Sequence, residues 1–128
     1  MNNDYSRGMA TLKGLIGEEG ADRVSERFRQ LSPAFEEEAL SVVFGRTWSR
    51  EGIDPKTRSL CSIGILAALG RHGALRIVFG IALSSGATVD EITEALLQVG
   101  IYAGYPAAFD ALPILQEVIE ERQGNVSE

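Results

Sequence analysis

Apolar residues in this chain recur at helical spacing along most of its length, and no stretch alternates apolar and polar residues long enough to make a strand. The pattern predicts a short helix over 7–16 and a second over 22–30, where Val24, Phe28 and Leu31 follow the i, i+4, i+7 rhythm of a buried stripe. "SPAFEEEALSVVFG" opens the third. Ser32 suits the N-cap, Pro33 the first helical position, and Phe35, Ala39 and Val43 share one face. The acidic run Glu36 to Glu38 reads as a solvated face, as such runs usually are. "SREGIDP" is a loop that ends at a cap, Asp54, and a helix-opening Pro55.

The fourth helix, "KTRSLCSIGILAALG", starts polar and is apolar around nearly its whole girth by Ile63. The fifth, "GALRIVFGIALSSG", is almost as apolar and stops at Gly86, a residue suited to the left-handed position that closes many helices. In "TVDEITEALLQVGIYAG", Thr88 and Glu91 have the spacing of a capping box, and Ile92, Leu96 and Val99 make the buried stripe. The last helix, "YPAAFDALPILQEVIEERQ", carries Pro113, which should kink or split it near Leu112. The tail "GNVSE" is expected to fray.

The expected fold class is therefore all-α, with about six to seven helices in a single domain over 1–128. Two helices as apolar as the fourth and fifth are hard to cover in a chain of 128 residues. Neighbouring subunits would cover them in a homo-oligomer whose interfaces resemble a core cut in half; a monomer with a compact two-helix centre is the alternative. A net charge of −6 argues against a nucleic-acid partner and against docking on an anionic membrane. The longest apolar stretch, "IGILAALG", is too short to span a bilayer, and the polar start "MNNDYSRGMA" has no signal-peptide core. The single cysteine, Cys61, permits no intrachain disulfide and fits a reducing compartment, so the expected location is cytoplasmic.

"TWSREGIDPKTRSL", "AALGR" and "ALSSGATVDEITEALLQVGIYAGYPAA" together resemble the carboxymuconolactone decarboxylase family, within the superfamily of the alkylhydroperoxidase AhpD. The likeness is strongest over 44–112 and includes Trp48, Asp54, Arg58, Gly86, Glu91, Glu94, Tyr102, Gly104, Pro106 and Ala107. It implies an AhpD-like helical subunit assembled into a homo-oligomeric ring, a trimer or hexamer. It also implies a cofactor-free lyase or isomerase acting on a small carboxylated or lactone-type molecule. The family's decarboxylases carry γ-carboxymuconolactone to the β-ketoadipate enol-lactone with loss of carbon dioxide.

The family's usual catalytic helix reads like "ELxxHxRGALNNG". Laid on this chain, its glutamate falls on Ala74, its histidine on Val78 and its arginine on Gly80. All three replacements remove polar volume, so a pocket lined by Ala74 and Val78 would be larger and more apolar, and would suit a bulkier ligand. The peroxidase branch is excluded by its chemistry. Its "CxxC" falls on His72 and Leu75, its upstream glutamate near Ser59, and closing a disulfide needs two thiols where this chain has one.

Candidate residues remain. Arg58 sits in the first turns of its helix, the end that prefers anions. Its planar fork suits a substrate carboxylate or a developing enolate, and an ion pair with Asp54, Glu91 or Glu94 is the structural alternative. Tyr102 or His72 would move the proton, with His72 otherwise a solvated histidine near a helix end. Trp48 and Tyr105 are expected to wall the ligand or to pack, Trp48 in the core and Tyr105 at an interface. Cys61 reads as a small core residue, and Arg76 as a cation that reaches solvent or a partner subunit's carboxylate. One histidine and no ligand cluster imply no metal. Two functions stay open: an enzyme of the decarboxylase class, or a binding or structural protein that keeps the ring scaffold without the chemistry. A mixed ring completed by a catalytic paralogue is a weaker third.

Overall fold

The structure, a computed structural model, describes residues 3–127, with side chains described to residue 124. Among these residues the chain forms six α-helices, one π-helical segment and no strand. It divides into two compact units, residues 1–55 and 56–128.

In the first unit, α1 (Asn3–Leu31) joins the two predicted helices end to end. They meet at Gly17, whose φ of 84° and ψ of 166° lie outside helical space. That backbone conformation is open to glycine and not to other L-residues, so the break sits where the sequence allows it. The buried side is Leu12, Leu15, Ala21 and Ser25. The predicted stripe is corrected: Val24 and Phe28 are half-buried and Leu31 is exposed, and the helix's inner face runs instead through Ala21 and Ser25.

Ser32 caps α2 (Pro33–Glu38), its hydroxyl accepting from the Phe35 N–H at 3.1 Å, with Pro33 in the first turn. The chain continues as a π-helix over Ala39–Trp48. Leu40, Phe44 and Trp48, four residues apart, lie on its buried side, with Ala39. Of the face expected inside, Ala39 is buried, whereas Phe35, in α2, and Val43 are exposed. Trp48 is buried with its ring 6.3 Å from that of Phe44.

The acidic run is not wholly solvated. Glu36 is only 5% exposed, and its Oε2 accepts from the Tyr5 hydroxyl at 2.5 Å and the Ser25 hydroxyl at 2.7 Å, with Arg29 Nη2 at 3.5 Å. A buried carboxylate is tolerated only when its lone pairs are met in this way. The Glu36 carboxylate holds the Tyr5 phenol above its ordinary value of 10.0, burial adding to the effect and Arg29 opposing it. A raised folded value means that this contribution is complete below pH 10 and is lost as pH climbs through the raised value. Tyr5→Phe should therefore lower stability by about 1 kcal/mol at about pH 9, and the gap from wild type should shrink above about pH 11. Urea midpoints at the two pH values check this, and a gap constant with pH would contradict the coupling.

The second unit comprises α3 (Pro55–Leu69), α4 (His72–Ser84), α5 (Val89–Ala103) and α6 (Tyr105–Ser127). Its core takes Ile63 and Ala67 from α3, Leu75, Val78, Phe79, Ile81 and Ala82 from α4, and Ile92, Leu96 and Val99 from α5. Gly86, at φ 96°, follows α4 as expected, and the Thr88–Glu91 capping box is formed in both directions. α6 buries Ala108, Ala111, Leu115 and Val118 at helical spacing.

Four expectations are corrected in this unit. α6 runs unbroken through Pro113, which is exposed, so the missing N–H is the main penalty rather than a clash in the core. The tail expected to fray is helical to Ser127, and residue 128 lies outside the described residues. Arg76 finds its carboxylates within the chain, on Glu117 and Glu121 of α6. Cys61 is exposed, as are Ile65 and Leu69, because α3 buries only one side within its own chain. No helix among the described residues is long and apolar enough to cross a membrane.

Candidate functional site

α3 and α5 run side by side in the same direction and make the frame of the site. Lys56 Nζ lies 2.8 Å from Glu91 Oε2, joining the first turn of α3 to the first turn of α5. That hydrogen bond, and the Thr88 N–H at 2.9 Å, hold the Glu91 carboxyl below its usual range. Near the other end of α3, Ala68 shares a groove with Tyr102 and Ala103 at the last turn of α5.

Arg58 stands one half-turn beyond Lys56, half-buried. Its Nε is buried and, among the described residues, has no hydrogen-bond partner. Glu91, one of the acids considered for it, is engaged by Lys56 and by the Thr88 N–H. The carbonyl of Arg58 accepts from the Ser62 hydroxyl at 2.9 Å, which fixes the helix but not the guanidinium. The next residue, Ser59, is fully buried. A desolvated guanidinium N–H without an acceptor is expensive to keep unless something supplies one. It also sits at the helix end that disfavours cations.

Between α3 and α5 lies a groove of about 310 Å³, walled by Leu60, Cys61 and Gly64 on one side and Ala95, Val99 and Tyr102 on the other. Gln98 is the polar side chain among its walls. Of these residues the sequence singles out only Tyr102 and Cys61, and Cys61 as a core residue. The signal available was the run of small residues at matching heights, Gly64 and Ala68 opposite Ala95 and Ala103.

The predicted site residues are only partly brought together. Tyr102 lines the groove, and it stands at the opposite end of α3 from Arg58, about 15 Å away along the helix axis. Tyr105 lies beside the groove, its ring over Gly100, where an added Cβ would come within 2.6 Å of it. His72 is the exposed first residue of α4, and Ala74 is exposed in the same turn. Val78, where the resemblance expects a histidine, is 8% exposed and belongs to the core. Trp48 is buried in the first unit.

The model of the carboxymuconolactone decarboxylase family matches residues 33–117. The chain is 32% identical over 123 residues to a 4-carboxymuconolactone decarboxylase of Acinetobacter baylyi, covering 94% of this chain and 92% of the relative. It is 39% identical over 94 residues to an uncharacterized 15.0 kDa protein of Paracoccus denitrificans, covering 72% and 70%. It is 26% identical over 117 residues to the nitrosuccinic acid decarboxylase of Metarhizium robertsii, covering 91% and 82%.

Proposed function

The chain belongs to the carboxymuconolactone decarboxylase family, and on that premise we propose that it is a cofactor-free lyase or isomerase of decarboxylase type. Its substrate is a small acid or lactone that carries a carboxylate, with a more apolar body than the usual lactone. The observation that carries this reading is the orphaned, buried Nε of Arg58. Two of the relatives bear the names of decarboxylases of carboxylated substrates, which is the same chemistry an anion receptor serves.

Arg58 has two possible jobs, and the direction of charge separates them. In decarboxylation the carbon–carbon bond pair moves from the carboxylate towards a conjugated carbonyl, and carbon dioxide leaves neutral. A cation on the departing carboxylate would hold the charge where it starts. A cation on the acceptor oxygen stabilises it where it goes. We assign Arg58 to the acceptor oxygen. Tyr102 stands about 15 Å from Arg58 along α3 of the same chain, so His72 or Tyr102 would return the proton to carbon from a neighbouring copy of the ring; Ala74 and Tyr105 are assigned to the apolar surroundings, and Val78 to the core. Trp48 is assigned to the core. The subunit works in a homo-oligomeric ring in the cytoplasm.

A second reading has its own support. Ala74 and Val78 replace the expected acid–base pair, and Val78 is packed rather than open to a cavity. That favours a binding or structural protein on the same scaffold. The two readings part on one assay. Incubation with 4-carboxymuconolactone should give carbon dioxide and loss of the substrate's absorbance. An acid that binds in calorimetry and is never turned over, across a panel of carboxylated lactones, would leave the binding protein.

A further inference from the structure

Tyr5 and Ser25 are twenty residues apart in α1, and an unbroken helix would hold them about 30 Å apart. Both donate to one atom, Glu36 Oε2, at 2.5 Å and 2.7 Å. The bend at Gly17 makes this possible. It folds α1 into an arm, residues 3–16, and a second half that begins after the glycine. With φ 84° and ψ 166°, Gly17 occupies backbone space that is essentially glycine's alone. A Cβ there would meet nothing within 4 Å, so it is the bend and not the packing that calls for glycine.

The two halves are held differently. The second half has its own grip on α2. Ser25 and Arg29 meet Glu36, and the rings of Phe28 and Phe35 stand edge to face with centroids 5.2 Å apart. The arm buries Leu12 and Leu15 and reaches Glu36 through Tyr5. Asp4 also pairs with Arg46 at 2.9 Å, but both are partly exposed, and such pairs contribute little. Glu36 is 5% exposed, and a buried carboxylate is costly once its donors leave. A partly satisfied network is worse than either extreme. Tyr5 therefore does not drift from Glu36 by degrees. The arm is docked with the donors in place, or it is swung away with water admitted to the carboxylate.

We propose that Glu36 is the catch, and Gly17 the hinge, of a conformational latch: weakening either lets residues 3–16 open as one unit while residues 18–48 keep their fold. Docked and open arms are two states of one element, and the two residues bias the same equilibrium. The charged acceptor favours the docked state. A residue that resists the bend favours the open one. All the parts of the latch lie in the first unit.

Hydrogen exchange of the full chain, read peptide by peptide by mass spectrometry, tests the latch. In wild type the arm should exchange through an opening that exposes less surface than global unfolding. Its rates should then rise less steeply with urea than those of residues 39–48. Glu36→Gln keeps the side chain's shape and removes its charge. Gly17→Ala adds a Cβ that touches nothing and strains the hinge alone. Each should speed exchange in residues 3–16 at least about 5-fold, with residues 18–31 and 39–48 near their wild-type rates. Even acceleration over 3–48 in both variants would make Glu36 and Gly17 plain framework residues and overturn the latch. So would an arm that exchanges at the wild-type rate in Gly17→Ala. The urea series uses unaltered protein and decides even if Glu36→Gln does not fold: one steep slope shared by the arm and residues 39–48 would also overturn the proposal.

Discussion

Gly8→Ala should destabilise the first unit by about 3 kcal/mol, the upper part of the range for an overpacked site. A Cβ built on Gly8 overlaps the Leu40 carbonyl oxygen, lies 2.7 Å from its carbon and reaches 3.0 Å from the Gly45 nitrogen. A Cβ on Gly45 would meet the Asp4 carbonyl oxygen in the same way. The two glycines therefore mark the place where α1 and the π-helical segment touch backbone to backbone. No flexible side chain stands in the way that could swing aside. One of the two helices has to move, and Leu12, Leu40 and Phe44 would lose packing as it does. Alanine's better helix propensity, worth about 1 kcal/mol, works in the other direction and is outweighed. Gly14 supplies the control. It lies in the same helix with nothing within 4 Å of a Cβ, so Gly14→Ala should stabilise by about 0.5–1 kcal/mol. Thermal melts should place Gly8→Ala about 10 °C or more below wild type and Gly14→Ala slightly above it. If the two variants melted together, the close crossing would be wrong.

That crossing was invisible in the sequence, and the reason is physical. A glycine chosen for close approach and a glycine that is merely tolerated look alike in a string, and only the partner backbone distinguishes Gly8 from Gly14. Features whose cause is local were legible: the Ser32 cap, the Thr88–Glu91 box, and Gly86 after α4 each depend on residues within three or four positions. Glu36 was misread because its partners, Tyr5 and Ser25, are 31 and 11 residues away, so nothing near it in the chain showed that its charge would be met. The π-helix misled for a related reason. A helix with more residues per turn turns a stripe set for 3.6 out of register, which left Val43 outside while Ala39, at its start, stayed buried. In the candidate site, Arg58 was legible as a cation at the wrong end of a helix. The groove was not, because an assembly of small side chains carries no chemical signature, and Cys61 was placed inside for being small and apolar when its helix buries one side only.

Arg58→Ala should lower kcat by about 100-fold on a substrate that wild type turns over, the size expected on removing a donor from a developing oxyanion. The orphaned Nε leaves one guanidinium donor unspent among the described residues, and the proposed role gives it the oxygen that gains charge during the reaction. An interaction made chiefly in the transition state lowers kcat and kcat/KM together and leaves KM nearly unchanged. A cation that only anchored the departing carboxylate would raise KM with kcat kept, because it would hold ground state and transition state alike. Arg58→Lys separates charge from geometry. Lysine keeps the charge but has no Nε fork, so activity should recover only in part. Stability gives an independent check: Arg58 Nε has no hydrogen-bond partner among the described residues, so Arg58→Ala should change the urea midpoint little, whereas a structural role would show as a clear drop. Unchanged kinetics together with a lowered midpoint would return Arg58 to the framework of α3 and take the proposed oxyanion role with it.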